Sequence, residues 1–153
     1  MWTTIFGAIN LVALIAWAIL ILLPRKPFAM AAALYLGVAL LCLAYAVVLG
    51  LLVAGAVDPV RDAGLPPADL ADYSVAGIKL LFRSDGAIVL GWIHYLAFDL
   101  FVGLWIARDA DAKGFSRLIQ APVLLVTFLA APVGLLVWLT IRERRARAQG
   151  RWQ

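Results

Sequence analysis

The chain has 153 residues, 65% hydrophobic and 14% charged, with a mean hydropathy of +0.99. Soluble domains carry roughly 45–50% apolar and about 25% charged residues, so the composition excludes a water-soluble fold and leaves a single membrane domain, residues 1–153. The net charge of +4 comes without any basic cluster interleaved with exposed aromatics, which excludes a nucleic-acid groove; in a membrane chain such charges sit at headgroups and set topology.

The first predicted span is residues 2–23. Its basic residues, in Pro24-Arg25-Lys26-Pro27, follow the apolar run instead of preceding it, so it reads as a retained helix and not as a secretory signal. Thr3, Gly7, Asn10 and Leu14 share one face at about 100° per residue, a face suited to close helix contact. Asn10 either bonds across helices or joins a ligand site. The second span, about 28–55, is uncharged and long enough to tilt or to leave the membrane at GLLVAGAV. Ala29, Ala33, Gly37 and Cys42 suggest a small-residue contact stripe. Tyr45 lies deep and needs a hydroxyl partner, which an internal polar site could supply. A single cysteine excludes an intramolecular disulfide.

Asp58 to Asp85 is the long polar stretch, broken near its start by Pro59, Gly64, Pro66 and Pro67. The run DYSVAGIKLLFRSDG then predicts an amphipathic helix over about 70–83. Val75, Ile78, Leu81 and Phe82 fall on one side and Asp72, Ala76, Lys79 and Arg83 on the other. It is too short to span and fits the headgroup region, as an anchor or as a lid. Ser84-Asp85-Gly86 caps the next helix.

Span three, 86–108, carries the chain's only histidine, His94, and Asp99. An aspartate at membrane depth costs roughly 2.5–3.5 kcal/mol on insertion scales, so it is expected to face a bundle interior and to serve a function there. On a helical wheel Gly91, His94, Tyr95, Asp99 and Gly103 fall on one half and Ile93, Leu96, Leu100 and Leu104 on the other. The polar half is expected to face partner helices and the leucine-isoleucine half to face lipid. His94 and Asp99 differ by about 140° in direction and about 7.5 Å in height, so they flank a ligand or bond to different helices and do not pair directly. Tyr95 and Asp99 stand one turn apart and can touch.

Span four, about 118–141, contains Pro122 and Pro132, which free backbone carbonyls. Thr127 is placed to donate to such a carbonyl or to reach the polar site, and Ala130 and Gly134 form a small-residue pair. Trp138 fits an interfacial belt, and 142–153 is a basic tail. The expected fold is all-α: an integral membrane four-helix bundle with a short interfacial amphipathic helix between spans two and three. Four spans place both termini and the long loop on one side. The tail arginines favour that side as cytoplasmic, whereas Arg25 and Lys26 in the first loop argue the reverse. One histidine and one cysteine are too few for a zinc or di-iron site, and no nucleotide-binding motif occurs. No metal and no cofactor are expected.

The runs GIKLLF, GWIHYLAFDLFVGLWIARDA and APVLLVTFLAAPVGLL resemble the abscisic acid-deficient four-like membrane family, and the likeness covers most of the chain. Plant members are associated with neoxanthin formation from violaxanthin. The resemblance implies a neoxanthin synthase-like, isomerase-like step on a membrane-dissolved carotenoid or other isoprenoid. In that step an epoxide oxygen is protonated while a proton leaves an adjacent polyene carbon, giving an allene. Carried onto this sequence, the family's chemistry would use Asp99 as base and His94 or Tyr95 as acid or its support, with Trp92, Phe98 and Trp105 lining an apolar groove. A carotenoid carrier and a proton-coupled transporter working through Asp99 remain alternatives. The expected partners are membrane lipids, an apolar isoprenoid and, through the small-residue stripes, a second copy of the chain. The expected location is a bacterial inner membrane with cytoplasmic termini, since the transit segment of plant members is not present.

Overall fold

The computed structural model describes residues 1–57, 69 and 71–148. The proline-rich start of the polar stretch, residues 58–68, residue 70 at the expected start of the amphipathic helix, and the tail end 149–153 lie outside the described residues.

With no charge to interrupt it, the first apolar run forms α1, Trp2–Leu22. Pro24 stops it by forcing Leu23 into extended backbone at ψ 152°, because a residue before proline disfavours the α region. Lys26, before Pro27, is held at the same ψ of 152°, and Pro27 opens the next helix, where its missing N–H costs nothing. From there α2 (Pro27–Ala32), a π-helical segment (Ala33–Ala39) and α3 (Leu40–Val53) make one continuous rod. Gly55, at φ +65°, ends it in the left-handed conformation glycine adopts without a Cβ clash. The amphipathic helix is α4, Val75–Leu81, shorter than expected; Ser74 Oγ accepts the Gly77 N–H at 3.0 Å. In the same way Ser84 accepts the Ala87 N–H at 3.0 Å and starts α5, Asp85–Ala112. The chain ends with α6 (Arg117–Leu129) and α7 (Ala131–Ala148).

Three of these rods, Trp2–Leu22, Pro27–Val53 and Asp85–Ala112, are long and apolar enough to cross a membrane. The central one is α5, against which α1, the π segment, α3, α6 and α7 all pack. Its packing face differs from the one expected in the leucine-isoleucine stripe and in His94. Ile93, Leu96, Leu100 and Leu104 are buried in the bundle core, whereas His94 stands exposed on the outer face with Phe98, Phe101 and Trp105. Asp99 and Gly103 lie on the buried side. Small residues decide the close approaches. At Gly37, inside the π segment, a Cβ would come within 2.7 Å of both Ala16 Cβ and Leu100 Cδ2, and at Gly103 it would collide with the Trp17 ring. The expected stripe holds for Ala29, Ala33 and Gly37, which are buried, but Cys42 is exposed and Leu41 takes the core position. On α1 the Thr3, Gly7 and Leu14 face points outward; Ile9, Ala13, Ala16, Trp17 and Leu20 make the contacts.

The predicted fourth span is two helices. Pro132 has no N–H and its ring clashes with the carbonyl of residue 128, so a helix running into it kinks or breaks. Here the chain breaks at Ala130, in extended backbone at φ −159° and ψ 87°. Ala130 closes α6 by donating to the Val126 carbonyl at 2.8 Å and opens α7 by accepting from Val133 and Gly134 at 3.0 Å. The second helix then returns beside the first, and Gly134 packs so closely on Thr127 that a Cβ there would collide with it. The turn is complete: Trp138 stacks edge-on against Phe115, 5.0 Å between centroids, and Arg145 donates to the Gly114 carbonyl at 2.8 Å. With 13 residues α6 rises about 20 Å, short of the roughly 30 Å of a bilayer core. The bundle is three long rods plus a helical hairpin, not four crossing helices.

The hairpin's return gathers charge at one end. Arg25 donates to Asp111 at 3.0 Å and to the Ala107 carbonyl at 2.8 Å. Arg117 donates to the carbonyls of Ile21 and Leu23, and Gln120 to Asp111. Asp109 accepts from Lys113 at 2.7 Å, from Trp138 Nε1 at 2.9 Å and from Arg142 at 2.7 and 3.1 Å. Trp138 is thus buried at a charged junction instead of sitting in an exposed belt.

Candidate functional site

Asp99 is buried at the middle of α5, and its Oδ2 has no hydrogen-bond partner among the described residues. Two other buried polar atoms share that condition, Arg25 Nε and Gln120 Oε1, but Arg25 Nη1 and Gln120 Nε2 each make two hydrogen bonds in the charged end. A carboxylate so placed is costly in an apolar surround unless something completes it. Its neighbour is Tyr95, one turn earlier. The Tyr95 hydroxyl donates to the Leu129 carbonyl, 3.3 Å away, with the Asp99 carboxylate close by. That carbonyl belongs to the last residue of α6, at the tip of the hairpin. The break at Ala130 thereby brings an open backbone end to Tyr95, one helical turn from Asp99.

One rim of this centre is aromatic and amide. Trp92 stacks on Tyr95 at 5.2 Å, its indole N–H donates to Asn10 Oδ1 at 3.1 Å, and Phe6 lies 5.7 Å from its ring. Asn10 donates in turn to the Phe6 carbonyl at 2.7 Å, which fixes the amide on α1. Below Asn10, α1 and α6 part to leave an open apolar groove between Leu14, Trp17 and Ile21 on one wall and Leu125 and Phe128 on the other. Leu14 is one helical turn from Asn10, and Phe128 adjoins Leu129, so the groove starts one turn along α1 and one residue along α6 from the polar centre. Asn10, Trp92, Tyr95 and Asp99 are thus brought together.

The other expected residues lie elsewhere. His94 is exposed on the outer face, stacked on Phe98 at 4.6 Å and tilted against Tyr45 at 5.6 Å. His94 and Phe98 thus stand on the exposed side of α5, whereas Asp99 is on its buried side. Gly91 supports α4, since a Cβ there would lie 2.6 Å from the Phe82 ring. Trp105 lies under the Arg142 guanidinium at 5.5 Å, near the charged end. Thr127 is fully buried inside the hairpin and donates to the Val123 carbonyl at 2.8 Å. Leu129, Phe6 and the groove residues of α1 and α6 were not expected. The available signal for them was Pro132 directly after two alanines, a position where a helix breaks as readily as it kinks.

Among the described residues no three His, Cys, Asp or Glu side chains gather as metal ligands do. What the centre offers is one carboxylate, one phenol and an apolar approach. Neither a curated protein nor a solved structure matches the chain. The family model described as ABA DEFICIENT 4-like matches residues 4–138, nearly the whole of the described bundle, and the chain belongs to that family.

Proposed function

We propose that this chain is a multi-pass membrane protein that isomerises a carotenoid or related isoprenoid, with Asp99 as base and Tyr95 as acid. The observation that carries the reading is the buried Asp99 carboxylate, whose Oδ2 has no hydrogen-bond partner among the described residues, one helical turn from Tyr95 in a bundle that also has an apolar groove between α1 and α6. A long apolar polyene would lie in that groove, between Trp17 and Phe128, and present its oxygenated end to the polar centre. Tyr95 would give its proton to an epoxide oxygen as the C–O bond opens. Asp99 would take a proton from the adjacent polyene carbon, and the electron pair left behind would form the new double bond of an allene. Asp99 then returns that proton to Tyr95 across their contact. Atoms and charge balance with no oxidant or reductant, which fits an acid–base pair one helical turn apart. Trp92 and Asn10 would orient the end group; His94 has no part in the step.

The test is a pigment analysis. The wild type and Asp99→Asn are expressed in cells that make epoxidised carotenoids, and total and bound pigments are compared. A new isomer made by the wild type and absent with Asp99→Asn is the expected result. Bound but unaltered pigment in both would make the protein a carrier, and equal product from both would remove Asp99 from the chemistry.

A further inference from the structure

Among the side chains described, eight cations stand at the end of the bundle where α1 and α5 finish and α6 begins: Arg25, Lys26, Arg108, Lys113, Arg117, Arg142, Arg145 and Arg147. Three carboxylates, Asp109, Asp111 and Glu143, face them there, and these are taken up by Arg25, Lys113, Arg142 and Arg147. Arg117 and Arg145 donate to backbone carbonyls, which leaves their charge unneutralised. Lys26 and Arg108 are exposed and make no ion pair among the described residues. At the opposite end Lys79 and Arg83 stand with Asp69, Asp72 and Asp85, so among the described side chains the excess of positive charge is confined to one end. That end could not be recognised as a unit without the hairpin, because only the return of α7 brings its arginines beside Arg25 and Lys113.

We propose that this end is a docking face for anionic phospholipid headgroups, and that the first loop, the 113–116 loop and the end of α7 all lie on the cytoplasmic side, with Met1 and α4 opposite. The four unneutralised cations supply the charge complementarity. Their position at the ends of three apolar rods puts them at headgroup depth, where each basic residue adds to attraction for an anionic leaflet. An excess of Lys and Arg in short loops also marks the cytoplasmic side. The proposal is independent of what fills the groove, and it places the termini on opposite sides.

Two measurements on the full chain test it. For topology, single cysteines at Thr3→Cys, Ser116→Cys and Arg147→Cys, in a Cys42→Ala background, are labelled in bacterial cells with an impermeant maleimide. Thr3→Cys is expected to react in intact cells, and Ser116→Cys and Arg147→Cys only after permeabilisation. Labelling of Ser116→Cys and Arg147→Cys from opposite sides would overturn the shared face. For the headgroup, purified protein in neutral detergent is titrated with short-chain phosphatidylglycerol, phosphatidylcholine and inorganic phosphate. Phosphatidylglycerol is expected to bind tightest, and Lys26→Gln and Arg108→Gln to weaken it by about fivefold each. Equal binding of both lipids would overturn the docking face, and equal competition by phosphate would show a free-anion site instead.

Discussion

Asp109 and Asp99 sit on the same helix ten residues apart, and their surroundings are opposite. Asp109 accepts from Lys113, from Trp138 and twice from Arg142, whereas Asp99 Oδ2 has no hydrogen-bond partner among the described residues. The first carboxylate is saturated, and each of its donors comes from a stretch of chain it must hold: the end of α5, and α7 after its return. The second is left chemically available at the place where the hairpin tip opens a backbone end. Desolvated charge with full pairing holds structure together; desolvated charge with incomplete pairing is what acid–base chemistry requires. Burial therefore does not distinguish the two aspartates. Bonding does.

Substitutions should separate these roles cleanly. The largest effect is expected for Asp99→Asn on product formation, a loss of about 10²–10⁴-fold as for removal of a general base, read by pigment chromatography. The same variant should melt in detergent at or above the wild-type temperature, because it removes an incompletely bonded charge. Asp109→Ala should do the reverse. It strands Lys113 and Arg142 and should cost about 3–5 kcal/mol, seen as a lowered melting temperature and loss of monodisperse protein on size exclusion. Gly134→Leu tests the hairpin that joins the two regions; overpacking against Thr127 should cost about 1–3 kcal/mol in the same melt and should reduce product by displacing Leu129 from Tyr95. The smallest effect is expected for His94→Phe. Its outward ring stacking can be kept by phenylalanine, so stability should move by less than about 0.5 kcal/mol and product not at all. Loss of product in that variant would erase the distinction between the inner and outer faces of α5.

Much of this molecule was legible in residues alone. The prolines around Arg25 and Lys26, the serine at 84 and the uncharged runs mark where helices begin and end. The one-turn spacing of Tyr95 and Asp99 places them together on any helix. The faces were not legible. Leu and Ile satisfy a lipid neighbour and a protein neighbour equally well, so the Ile93–Leu104 stripe could not announce that it is core, nor His94 that it points outward. Thr3, Gly7 and Leu14 misled for the same reason: a small residue permits close contact but does not compel it.

The sequence by itself determined the helical class, the three long apolar rods, the caps and the local pair at the centre, because these follow from backbone sterics and from spacing within one helix. Only the tertiary structure decided that the last apolar stretch turns back at Ala130. Pro132 allows either a kinked crossing or a reversal, and the choice is made by Trp138, Arg142 and Arg145, which reach the 109–114 region from about thirty residues away in the chain. That return brings Leu129 to Tyr95 and gathers the arginines at one end. Both are long-range contacts, whose energy depends on where separate helices meet and not on the order of residues within any one of them.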